Sequence, residues 1–132
     1  LANTRLTLKQ IARLYYQLRR RYFLDAEALR PGTALHVPPP ANEVTFGWLP
    51  ENSNARAQTD FDEDGTPHLI RFDSKHTERT VIRELLLHEL THVRLGPDPA
   101  CGGYNHAGRN HPGSRAWRRE TVRLAVSGAI RL

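Results

Sequence analysis

His88, Glu89 and His92 stand in the order His-Glu-x-x-His, and those residue types at that spacing suit one kind of chemistry. On an α-helix, side chains four residues apart leave the same face about 6 Å apart along the axis, so both imidazoles can reach a single metal ion. Glu89 falls one residue round, near enough to work as a base on an activated water without being a ligand. Two neutral nitrogen donors, a third ligand, an open coordination position and an adjacent carboxylate are what a hydrolytic zinc site requires. With seven His and eight Glu in 132 residues, an accidental match amounts to roughly 0.02 occurrences per chain.

The residues around the motif read as one helix. Thr77 is placed as an N-cap and Glu78 favours the helix N-terminus; Gly96 is placed to end it and Pro97 to block its continuation. Val81, Leu85, His88 and His92 fall on one stripe, with Ile82, Leu86, Leu90 and Val93 beside it. A helix apolar over so wide an arc is buried, and two histidines and a glutamate there are costly unless something binds them.

A third ligand must come from further along. His106 and His111 lie in the Gly/Pro/Asn/His-rich stretch 96–113, and Glu120 lies on the helix that follows. A Gly three residues and a His six residues after the second motif histidine would be another solution, but Leu95 and Asp98 hold those positions. His111 is favoured, because His111-Pro112-Gly113 runs straight into a helix whose Trp117 can anchor that loop against the site; His106 and Glu120 remain the alternatives. Tyr104 and Arg109 are candidates for oxyanion or substrate contact by loop position alone.

Further elements follow from capping and periodicity. Thr7-Leu8-Lys9-Gln10 reads as a capping box opening a first helix, with Leu8, Ile11, Leu14, Tyr15, Leu18 and Tyr22 at helical spacing. Extended segments are expected at Ala34–Val37 and Val44–Leu49, separated by the stiff Pro38-Pro39-Pro40. Ala55–Phe61 and His68–Asp73 flank an acidic turn and read as a hairpin. That turn resembles the start of a calcium loop, but its twelfth position is Arg71 instead of the bidentate Glu such loops need. A last helix is expected from Ser114 to about Val126.

At 132 residues a single domain is expected, and no stretch reads as a signal peptide or membrane span. The lone Cys101 leaves no internal disulfide and no Cys-rich zinc ribbon, so a reducing, cytoplasmic setting is the expectation. The net charge of +5 conceals a pattern: residues 1–30 carry +5, residues 31–100 carry −5 and residues 101–132 carry +5. Seventeen of the nineteen cations are Arg, whose forked guanidinium suits phosphate. Arg13 and Arg20 on the first helix, with Arg115, Arg118, Arg119 and Arg123 on the last, are the candidate nucleic-acid contacts. A G+C-rich coding sequence would enrich Arg equally, whatever the function.

The chain resembles the SprT-like (Spartan-like) metallopeptidases over about residues 8–126. The resemblance is carried by the order of Leu14-Tyr15-Tyr16-Gln17-Leu18, Arg21-Tyr22-Phe23, Gly47-Trp48, Ile70–Phe72, the His88–His92 motif and His111–Trp117. It implies a zincin-like α+β fold, in which a small mixed sheet is packed by an N-terminal helix, the active-site helix and a C-terminal helix. It also implies Zn²⁺ held by His88, His92 and His111, Glu89 as the base, and cleavage of DNA-bound or DNA-crosslinked proteins with DNA as activator. Family members usually place the third histidine directly before Gly and about four residues before the aromatic, whereas His111 precedes Pro112 and lies six before Trp117. The expected enzyme is a zinc endopeptidase, monomeric, bacterial or phage-encoded, and acting on a protein substrate. A regulatory peptidase cutting one partner without DNA, or a non-catalytic nucleic-acid-binding module, are the other readings; an intact Glu89 is of no use to the last.

Overall fold

The Thr7 hydroxyl accepts from the Gln10 N–H while the Gln10 side chain accepts from the Thr7 N–H, and this capping box opens α1, Leu8–Tyr22. The computed structural model describes residues 4–96 and 112–131. Ile11, Leu14, Tyr15, Leu18 and Tyr22 form the buried stripe of α1, the spacing of a helix with one face on a core. A short α2, Ala26–Leu29, stops at Arg30 because Pro31 disfavours a helical residue before it. The three prolines then run along α1, where the Pro38 carbonyl accepts from Arg19 Nε at 2.6 Å and the Pro39 carbonyl from the Tyr15 hydroxyl at 2.7 Å.

Three strands follow: β1 (Thr45–Trp48), β2 (Ala57–Phe61) and β3 (Pro67–Phe72). Among the described residues they form one mixed sheet in the order β1-β3-β2, with β1 parallel and β2 antiparallel to the central β3. The β2–β3 hairpin closes through Asp62 N–H to the Thr66 carbonyl, and Gly65 takes the positive φ of 84° that the turn demands. Arg71, on β3, donates to Asp60 of β2 at 3.1 Å, so it ties the hairpin together.

The residues 34–37 do not form a strand. They pass the end of the next helix, α3 (Arg79–Leu95), where the His36 N–H donates to the Arg94 carbonyl at 2.8 Å and satisfies one of the helix's last acceptors. The N-cap of α3 is Glu78, one residue later than Thr77. The N-terminal segment is the reason: Leu6 N–H donates to the Thr77 carbonyl and Arg79 N–H to the Thr4 carbonyl, holding residues 77 and 78 in an extended bridge. Gly96 ends α3 at φ 85°, a backbone conformation that strains an L side chain and that glycine takes readily. The last helix, α4 (Arg115–Val126), opens on Ser114, whose hydroxyl accepts from Trp117 N–H.

Ile11, Leu14, Tyr15 and Leu18 of α1, Ile70 and Phe72 of β3, Ile82, Leu86 and Leu90 of α3, and Leu124 of α4 share one buried cluster. The fold is therefore mixed α+β, a small sheet packed by helices around one core. No described helix is long and apolar enough to cross a membrane.

Candidate metal centre

The second half of α3 is buried on every side, from Glu89 through Leu95, and the His-Glu-x-x-His motif opens that stretch. His88 and His92 point to one place: their Nε2 atoms are 3.0 Å apart, and with a Glu89 oxygen the three ligand atoms lie within 4.8 Å of one another. Two nitrogens on a tetrahedral zinc at about 2.0–2.1 Å would be roughly 3.3 Å apart, so the pair fits such an ion after a shift of a few tenths of an ångström. Two imidazole nitrogens that close must share either a proton or a cation, since two lone pairs facing each other repel. Among the described residues this is the group able to hold a metal ion.

Trp117 of α4 forms the wall of the site. Its ring centroid is 4.9 Å from that of His88 and 4.7 Å from that of His92, and the two histidine rings meet edge to face at 4.7 Å. An aromatic plane against both imidazoles limits their rotation and keeps water from that side. Ser114 starts α4 three residues earlier, so the cap that begins the helix also sets where the Trp117 ring arrives.

Glu89 is buried beside the histidines and accepts a hydrogen bond from the Thr59 hydroxyl of β2, 2.7 Å from its Oε1. Burial pushes its carboxyl up to about 7, against the smaller lowering effect of the Thr59 bond. Nothing in the sequence marks Thr59, because a threonine in a strand is ordinary. Only the period-two alternation of β2 could have placed it on the face of Ala57, which packs on the core, and opposite to Gln58 and Asp60.

Arg94 is the other residue the sequence does not reveal. Two positions after His92, it is fully buried and held by carboxylates from two other helical regions. Asp25, the N-cap of α2, takes both terminal guanidinium nitrogens, with Arg94 Nη2 3.0 Å from Asp25 Oδ2, while Glu120 of α4 pairs with Nε. Burial raises the Asp25 carboxyl, but the hydrogen bond and charge of Arg94, with Arg123 behind, outweigh it and hold Asp25 below the usual carboxylate range.

Of the other candidate ligands, Glu120 is engaged by Arg94 and by Arg123 Nε at 2.9 Å, and it is not part of the metal-holding group. His106, His111, Tyr104 and Arg109 lie outside the described residues. Arg13, Arg20, Arg115, Arg118 and Arg119 are exposed. Arg123 is not like them: it pairs with Glu120, donates to the Tyr22 carbonyl and stacks 5.1 Å over the Phe23 ring, so its guanidinium is committed inside the protein.

Compared with known proteins, the chain matches no family model, and no curated protein or solved structure is significantly similar to it.

Proposed function

We propose that the protein is a zincin-like zinc metallopeptidase of the SprT-like kind, acting on proteins bound or crosslinked to DNA. The observation that carries the reading is the convergence of the His88 and His92 Nε2 atoms, 3.0 Å apart, beside a buried carboxyl on the same helix. His88 and His92 would hold the ion, with His111 as third ligand and His106 as the alternative. A bound zinc ion supplies Lewis acidity toward water and the carbonyl oxygen. Glu89 takes the proton as water attacks the peptide carbonyl and returns it to the leaving amine. Trp117 holds the two imidazoles in orientation and screens them from solvent on one side.

The DNA component rests on surface charge. Two grooves meet at Arg123: one of about 410 Å³ between α1 and α4, lined by Arg20 and Arg21, and one of about 570 Å³ beside α4, lined by Arg115, Arg118 and Arg119. Five of those arginines are exposed on adjoining surface, the arrangement that tracks a phosphate backbone. Casein and histone cleavage by the zinc-loaded protein, with and without single-stranded DNA, tests the reading. DNA-stimulated cleavage is expected; cleavage indifferent to DNA would favour a regulatory peptidase, and DNA binding without cleavage a non-catalytic module.

A further inference from the structure

We propose that Thr59 is the positioning residue for the Glu89 carboxyl, holding one of its oxygens so that the other is left to exchange protons. The inference rests on the peptidase reading and adds to it a strand residue outside the motif. Glu89 reaches the site on a side chain with three rotatable bonds, so its backbone placement on α3 does not by itself orient the carboxyl. A proton acceptor that is free to rotate reaches the reacting geometry only part of the time, and misplacement by about 1 Å can cost roughly 100-fold in rate.

Thr59 removes that freedom. Its hydroxyl donates to Glu89 Oε1 at 2.7 Å, and among the described residues it is the hydrogen-bond donor to this carboxyl. The donor is itself rigid, because a β-branched side chain on a strand has few χ1 choices. The strand is rigid too: Thr59 pairs in register with Ile70 of β3, a residue at the bottom of the core. Neighbouring polar residues of β2 are occupied on the opposite face, Gln58 with Asp60 and Asp60 with Arg71, so Thr59 is the polar side chain of this strand turned to α3. The bond crosses from sheet to helix over 30 residues of sequence, which ties the orientation of the base to the packing of β2 on α3.

The test separates a positioning role from a merely structural one. Thr59→Val keeps the shape and removes the donor, Thr59→Ala removes it with less bulk should the valine not fold, and Thr59→Ser keeps the hydroxyl. Zinc content is expected to stay at the wild-type level in all three, because Thr59 belongs to the base and not to the ligand pair. In casein cleavage, kcat should fall about 10- to 100-fold for the valine and alanine variants, with KM within about twofold, and serine should recover most of the loss. In the metal-free protein at pH 8, Thr59→Val should lower the urea midpoint when Glu89 is present and clearly less in a Glu89→Ala background. Unchanged kcat in zinc-replete Thr59→Val, or equal midpoint shifts in both backgrounds, overturns the proposal. A wild-type protein that carries zinc and cleaves nothing overturns the peptidase reading and this role with it; the midpoints then still show whether the Thr59–Glu89 bond exists, so the two failures are told apart.

Discussion

His88 and His92 differ from Glu89 in what their loss should do, because in the proposed peptidase two would be donors to a cation and one would handle protons. Zinc analysis of His88→Ala and His92→Ala is expected to show the metal gone from each, whereas a doubly substituted chain that still binds one zinc would remove the site from α3 altogether. The two candidate third ligands, His106 and His111, can be ranked the same way. His111→Ala should cost more zinc affinity than His106→Ala, whose effect should be no larger than the roughly 10- to 100-fold typical of groups that only support a ligand; the reverse order would make His106 the ligand. At this scale the motif was legible because its chemistry is local, four residues along one helix. Thr59 was not, since the distance that matters, 2.7 Å to Glu89, is created by the sheet packing on the helix.

Local rules explain where most elements begin and end. The Thr7–Gln10 capping box, Ser114 before α4 and Gly96 after α3 are all signals of backbone groups that need a partner or of a φ only glycine takes readily. Such signals fail where distant chain segments compete, as at Thr77, which the N-terminal segment draws into a bridge, and at residues 34–37, which end against α3 instead of joining the sheet. The Asp25–Arg94–Glu120 network was equally invisible, since arginines are rarely fully buried and its first pair is 69 residues apart. It joins α2, α3 and α4, and so helps hold Trp117 on the histidines. Arg94→Met should therefore destabilise the protein by about 3–5 kcal/mol in urea unfolding, the range for removing one member of a buried ion pair, while Arg118→Ala on the surface should stay within about 0.5 kcal/mol. Acid should act on the same network. Because the folded-state pKa of Asp25 is depressed, its contribution is present above the unfolded carboxylate value near 3.9 and is lost as pH falls through the lower folded value. Asp25→Asn should flatten that part of the stability profile, and an unchanged acid limb would mean that Arg94 does not hold Asp25 in solution.

At the scale of the molecule, the exposed arginines and the candidate metal centre occupy different surfaces that meet at α4, whose buried side carries Trp117 and Glu120 and whose exposed side carries Arg115, Arg118 and Arg119. Replacing Arg118 and Arg119 together by Glu should weaken single-stranded DNA binding and any DNA-stimulated proteolysis in parallel, with zinc content unchanged. The log–log salt dependence of binding should become shallower by about 0.7 for every phosphate that the variant no longer neutralises. Of the aromatic side chains that could stack on bases, Tyr16 and Trp48 are exposed, while Tyr15 and Tyr22 are core residues. Absence of DNA binding at low salt would assign the arginines to coding composition and move the regulatory-peptidase reading ahead. The central claim, that Glu89 serves as the base of a zinc peptidase, is tested most directly by measuring casein cleavage on a Glu89→Gln preparation whose zinc content has been determined. One zinc per chain, with cleavage at least about 100-fold below wild type, is the predicted result. Cleavage at the wild-type rate by the zinc-replete glutamine variant would contradict it.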